Sequence, residues 1–259
     1  MVSRRIGDLT SPEIQRSLRA SSVLCLPLGS IEQHGPHLPL NTDLVLAEAF
    51  THAIVERWGE TYDLWQLPAL PIGLSREHAW APGTLSLSTA TMVALLHDLG
   101  REIIRALPAR SLVIVNGHGG NRGILEALAH DLRADFGLNI CAIHTGALMS
   151  PPSDTGVPEI HGGKDETSAM LALAPHLVRR DSIADLKTPP DVAAVNATIL
   201  DPGVSWPCSS DDRRIADQGV IGNAQDASAK HGQAVVIRVV EAAGGVLKQL
   251  LQNQQTPRG

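Results

Sequence analysis

The sequence predicts an α/β fold around a mainly parallel sheet, and three observations carry that prediction. Residues 22–28 and 111–115 are apolar without alternation, the pattern of strands covered on both faces. Each run passes through a glycine-bearing loop into a segment whose apolar residues recur every three or four positions, which makes repeated βα units. The 259 residues are 43% hydrophobic, enough to bury the core of such a sheet within one domain spanning 1–259.

Taken in order, residues 9–20 read as a short helix with Thr10 or Ser11 as N-cap and Pro12 in the first turn. The strand 22–28 stops at Gly29. Beyond Asp43, the positions Ala47, Phe50, Ile54 and Trp58 mark a helix ending at Gly59 as C-cap, with Asn41 or Thr42 capping its start. Residues 64–72 form a second strand, which Pro68 and Pro71 assign to an edge. A helix over 91–107 is closed by Pro108. The strand 111–115 then leads through Asn116-Gly117-His118-Gly119-Gly120-Asn121 into a helix over 122–136. A strand at 138–143 precedes a Pro/Ser/Gly loop at 150–158, placed to cover a site. His161, Asp165 and Glu166 come before an apolar helix containing Met170, Leu171, Leu173 and Leu177. Residues 181–219 are rich in Pro, Asp and Ser and carry no periodicity to which chemistry can be assigned. A long helix over 226–251 has Val235, Val239, Ala242, Val246 and Leu250 as its buried stripe, with Gly244 and Gly245 allowing close packing.

Composition excludes several classes. A net charge of −6 without a basic tract argues against nucleic acid. No apolar stretch approaches the roughly 18 residues of a membrane span, and the first residues lack a signal-peptide core, so a cytoplasmic protein without a membrane partner is expected. Cys25 and Cys141 sit in apolar strands and Cys208 in a polar loop, with no Cys-x-x-Cys spacing; they read as packing residues.

The chemistry concentrates in residues 29–43. Glu32, His34, His37 and Asp43 follow directly on the first strand, and in extended backbone Glu32 and His34 project to one side. Gly35, Pro36 and Pro39 forbid a helix there. Imidazole with carboxylate suits zinc, manganese or iron, whereas calcium takes mostly oxygen and structural zinc more thiolate. In a parallel sheet the loop bearing His118 opens on the same carboxyl edge, where such folds place ligands. Neither nucleotide fingerprint fits that loop, because Arg122 stands where a third glycine would fall and no Gly-Lys-Ser/Thr follows. Glu77 and His78 occupy a further polar loop after a strand.

Five ordered motifs then carry a resemblance: 29–39 with Thr42-Asp43, Glu77-His78 with Pro82-Gly83-Thr84, Asn116 to Asn121, His161-Gly162-Gly163 with Glu166-Thr167-Ser168, and Gly219 to Gly222. Together they resemble the creatininase (creatinine amidohydrolase) family over most of the chain. The resemblance implies a three-layer α/β/α sandwich, two divalent metal ions per chain, an amide substrate and a homohexamer. It makes Glu32 and His34 ligands of different metals, Asp43 the carboxylate bridging them and His118 a further ligand. Creatininase has a glutamate at the position of Gly120, so the resemblance assigns the fifth ligand to Glu166, as in relatives with the Gly-Gly form. His161 resembles the proton-shuttling histidine. Glu77, His78, Gly119 and Gly120 are the expected substrate contacts, and Gln33 and Asn121 the residues that orient the ligands. The implied reaction is hydrolysis of a C–N bond by water activated between two metals, and no Gly-x-Ser-x-Gly elbow competes with it. The family includes formamide hydrolases and a peptidase maturing a peptide-derived redox cofactor. Creatinine is disfavoured, because no Trp lies between Trp80 and Trp206 and Val157 and Pro158 stand just before His161. A catalytically silent metal-binding protein on the same fold is the competing class.

Overall fold

A computed structural model of the chain describes residues 3–150, 158–187 and 191–255. Its elements in order are α1 (Ser11–Ser17), β1 (Val23–Leu28), α2 (Thr42–Tyr62), β2 (Leu64–Gln66), α3 (Thr89–Ala106), β3 (Ser111–Asn116), α4 (Arg122–Phe136) and β4 (Asn139–His144). The short α5 (Thr145–Met149), α6 (Lys164–Leu173), the single turn α7 (Val192–Val195) and the long α8 (Ala229–Gln255) follow. The four strands form one parallel sheet in the order β2-β1-β3-β4.

Every residue of β1 and β3 is buried, and their alternating side chains feed two separate cores. Val23, Cys25, Val113 and Val115 face Phe50 and Ile54 of α2, Met170 of α6 and Val235 and Val239 of α8. Leu24, Leu26, Leu112 and Ile114 face Met92, Leu96 and Ile103 of α3 and Leu125, Leu128 and Leu132 of α4. The result is three layers, helix on sheet on helix, with each buried aliphatic side chain contributing about 1.5–3 kcal/mol before its ordering cost. Leu28 pairs with Asn116 and Asn116 with His144, so β1, β3 and β4 end at one level and their following loops share one edge.

The structure departs from the sequence expectation in several places. The first helix is shorter, Ser11–Ser17, with Thr10 and Glu13 forming a capping box. Helix α2 runs through Gly59 and stops on Asp63, whose backbone takes the left-handed conformation at φ 49°. The edge strand covers only Leu64–Gln66, because beyond Pro68 contact with β1 shrinks to a single bridge at Leu70. Asp165 and Glu166 lie inside the first turn of α6 rather than before it. The stripe of α8 is shifted: Ala243 and Leu247 are buried where Ala242 and Val246 were expected. Gly244 does bring a helix close, since a Cβ there would come within 2.6 Å of Trp58 Cζ2, whereas nothing lies near Gly245. The three cysteines are free, and burial pushes Cys25 up to about 12 and Cys141 up to about 11, as packing residues should be. Among the described residues no helix is long and apolar enough to cross a membrane. The expected covering loop at 150–158, with Val157, falls mostly on residues 151–157, outside the described residues.

Candidate metal centre at the carboxyl edge of the sheet

The loop after β1 cannot stay helical or extended past its prolines, and it folds Glu32, Gln33, His34 and His37 into the protein with all four buried. Asp43 opens α2 directly behind them. Gly117 lets the loop after β3 press onto the start of α2, because any Cβ there would overlap the Asp43 carbonyl oxygen. His118 is thereby carried to the same point.

Each of three histidines spends one ring nitrogen on a backbone carbonyl. His34 Nδ1 donates to Glu32 O at 3.2 Å, His118 Nε2 to Leu74 O at 2.6 Å and His161 Nε2 to Gln33 O at 2.7 Å. The other nitrogen of each ring faces carboxylates. His34 Nε2 lies 3.1 Å from Asp43 Oδ1 and 3.9 Å from Glu166 Oε2. His118 Nδ1 lies 3.1 Å from Glu32 Oε1 and 3.2 Å from Asp43 Oδ2. His161 Nδ1 lies 3.5 Å from Glu32 Oε1. The two oxygens of Asp43 therefore face two different histidines. An imidazole anchored through one nitrogen to a carbonyl is the usual posture of a metal-binding histidine.

The electrostatics match. Both oxygens of Glu32 and Oδ2 of Asp43 are buried without a well-formed hydrogen bond, although His118 Nδ1 lies near Glu32 Oε1 and Asp43 Oδ2. Burying carboxylate oxygens without donors is costly unless a cation satisfies them. Burial would lower the pKa of His34, but Asp43 and then Glu166 raise it to about 10. Burial opposes charge on His118 too, and Glu32 and Asp43 still hold it well above its ordinary value. Burial pushes Glu166 up to about 7. His161 is driven well below its ordinary value by burial and then by the neighbouring His78 and His34 rings. Protons on imidazoles thus balance the carboxylates, a balance a divalent cation can replace. Three overlapping sets have ligand atoms within 4.8 Å of one another: Glu32, His34 and His161; Glu32, Glu77 and His118; and His34, Asp43 and Glu166.

The remaining expected residues divide. His78 is buried, stacks on His161 at 4.0 Å between ring centroids and points Nε2 at Glu32 Oε1, 3.5 Å away. Glu77 Oε1 lies 3.4 Å from His118 Nε2 and fills the space into which a side chain at Gly120 would grow. Gly119 faces open space. Gln33 Nε2 sits 2.9 Å from His78 Nδ1 and 3.1 Å from Gly219 O. Asn121 does not touch the ligand side chains: its amide takes Leu74 N and donates to Gly29 O and Asn116 Oδ1, tying three loops together through backbone and Asn116. Ser210 and Trp80 were not singled out as site residues. Trp80 Nε1 donates to Ser210 Oγ at 2.8 Å, and Ser210 Oγ lies 2.7 Å from His78 Nδ1. Gly219–Gly222 earns its place by pairing Ile221 with His161 through backbone hydrogen bonds in both directions.

The sequence profile of the family described as "Creatininase: Creatinine amidohydrolase" matches residues 7–247. The chain belongs to the creatininase family. A mycofactocin precursor peptide peptidase from Mycolicibacterium smegmatis is 32% identical over 94% of this chain and 90% of its own length. A creatinine amidohydrolase from Pseudomonas putida is 29% identical over 94% and 96% respectively. A solved structure described as "Creatininase Mn" superposes with a TM-score of 0.76 at 27% identity, covering 98% of this chain and all of the other, 100%. The fold is the α/β/α sandwich of creatininase. The chain is accordingly a hydrolase of carbon–nitrogen bonds with residues able to bind metal.

Proposed function

We propose that the chain is an amidohydrolase with two divalent cations, Zn, Mn or Fe, held on either side of Asp43. Glu32, His118 and Asp43 Oδ2 would hold one; His34, Glu166 and Asp43 Oδ1 the other. The observation that carries this is the division of Asp43 between two anchored histidines beside carboxylate oxygens without a well-formed hydrogen bond. When bound, such cations supply Lewis acidity and bring the pKa of water toward neutrality. The chain's own residues do the rest. His161, fixed through Nε2 to Gln33 O, turns Nδ1 toward Glu32 Oε1 and is placed to carry a proton to the departing nitrogen. Glu77, His78, the open face of Gly119 and the backbone of Gly120 line the approach for substrate.

A peptide-like amide ranks first as substrate, in line with the relative named a precursor peptide peptidase. Cyclic amides and formamides follow, with creatinine last for want of a Trp between Trp80 and Trp206. A cytoplasmic location and a homohexamer complete the proposal; light scattering giving a monomer at micromolar concentration would refute the hexamer. The deciding experiment measures metal per chain and screens Mn-, Zn- and Fe-loaded protein against short peptides, cyclic amides and formamides. Two ions per chain with turnover are expected. Metal occupancy without any turnover would leave a silent metal-binding protein and sink the enzymatic reading.

A further inference from the structure

The aperiodic stretch 181–219 returns to the centre at Ser210. That residue is buried, and its backbone N–H donates to Glu77 O at 3.0 Å. Its hydroxyl lies 2.7 Å from His78 Nδ1, 2.8 Å from Trp80 Nε1 and 3.2 Å from Gln33 Nε2. A hydroxyl has one proton and two lone pairs. The indole and amide nitrogens can only donate, so they take both lone pairs; the amide's orientation is set by Gln33 Oε1 accepting from Gly35 N at 2.9 Å. The hydroxyl proton goes to His78 Nδ1, because the Glu77 carbonyl is farther, at 3.4 Å. Gln33 Nε2 is 2.9 Å from the same ring nitrogen, but that nitrogen has one lone pair, and the second amide proton has Gly219 O as its acceptor at 3.1 Å. His78 Nδ1 is therefore an acceptor, and the ring proton sits on Nε2.

The consequence falls on Glu32. His118 and His161 are anchored through their Nε2 protons to carbonyls and turn Nδ1 toward this carboxylate. His78 instead turns an N–H toward it. We propose that Ser210 is a positioning residue of the hydrolytic centre: it holds His78 as the Nε2–H tautomer, so that the ring presents a proton rather than a lone pair to Glu32 Oε1 3.5 Å away, an electrostatic contact rather than a hydrogen bond. This rests on the reading of Glu32 as part of a metal centre.

Two-bond ¹H–¹⁵N correlation spectra of the zinc-loaded protein test it, with the His78 signals assigned by their loss in His78→Gln. In the wild type, Nδ1 of His78 should be unprotonated and Nε2 protonated. Ser210→Ala should shift His78 toward the other tautomer, leave zinc content unchanged and lower kcat about 10–100-fold on the amide that the wild type hydrolyses. Ser210→Thr, which restores a hydroxyl, should recover both. A wild-type His78 protonated on Nδ1 overturns the proposal, as does a Ser210→Ala protein with unaltered His78 signals or unaltered kcat. If Ser210→Ala does not fold, the wild-type spectrum decides alone. A wild type that hydrolyses none of the amides would instead remove the functional reading and leave the tautomer settled by the spectrum.

Discussion

Helix α2 carries an aspartate at each end, and the two live by opposite rules. Asp43, in the first turn, is buried beside His34 and His118, and its Oδ2 has no well-formed hydrogen bond. Asp63, just past the last turn, accepts from Ser22 Oγ at 2.5 Å, Trp65 Nε1 at 2.9 Å and Arg4 Nη1 at 3.2 Å. The helix dipole favours a carboxylate at the first position and opposes it at the second. Yet the carboxylate in the unfavourable place is the one fully matched by donors. Asp63 is satisfied because it ties the amino edge of the sheet together, joining residue 4 and β1's approach to the end of α2. Asp43 keeps an oxygen open, which fits the proposed role of holding a cation, and such sites are commonly built against local stability.

The largest effect that can break this contrast is at Asp43. If Asp43 is the shared ligand proposed above, Asp43→Ala should abolish metal binding and turnover together, because losing a carboxylate between two cations would leave them facing each other unscreened. The metal-free variant should melt close to metal-free wild type. Metal quantification and melting curves on both forms check this, and near-wild-type occupancy with turnover would end the distinction between the two aspartates.

A finer test lies within the centre itself. Glu166 Oε2 accepts from Gly162 N at 2.6 Å and faces His34 Nε2, whereas His161 faces Glu32 through Nδ1. Glu166→Gln should lower metal content, since a neutral amide is a much poorer ligand. His161→Ala should keep both metals and lose about 10²–10⁴-fold in turnover, the range of a removed general acid or base. Because His161 also belongs to a set with Glu32 and His34 that can hold a cation, the opposite outcome has a structural meaning: His161 would be the ligand and Glu166 the proton carrier.

Much of this arrangement was legible in the chain. Continuous apolar runs marked β1 and β3, and the glycine loop after β3 marked the start of α4, because burial on both faces and close backbone approach leave strong composition signals. The acidic and imidazole spacing of Glu32, His34 and Asp43 pointed to side chains that the fold brings together with His118. What stayed hidden depends on tertiary contacts. Gly59 looked like a cap, but Arg4 packs over it within α2 and Asp63 adopts the left-handed cap, held by partners 41 and 59 residues away. On α8 the buried stripe follows the combined footprint of α2 and α6, which spacing alone does not locate. Ser210 is one of several serines in an aperiodic stretch, and only its convergence with His78, Trp80 and Gln33 gives it meaning.

The smallest expected effect sharpens the contrast from the stabilising side. Asp63→Asn suits the left-handed backbone, which asparagine tolerates, but it removes the charge that Ser22, Trp65 and Arg4 address. The side chain is 32% exposed, so screening limits the loss to about 1 kcal/mol, or about 2–4 °C in Tm for a chain of this size. Activity and metal content should not change. Burial alone would raise the pKa of Asp63, yet the hydrogen bonds from Ser22, Trp65 and Arg4 outweigh it and hold the carboxyl below its ordinary value. A group depressed in the folded state contributes stability above its unfolded pKa of about 3.9, and that contribution drains away as pH falls through the folded value. The stability gap between wild type and Asp63→Asn should therefore be full at neutral pH and narrow as the solution is acidified below about pH 4. A gap that persists unchanged in acid would mean that the variant loses packing or backbone geometry rather than charge, and the two ends of α2 would then differ in shape and not in how their carboxylates are satisfied.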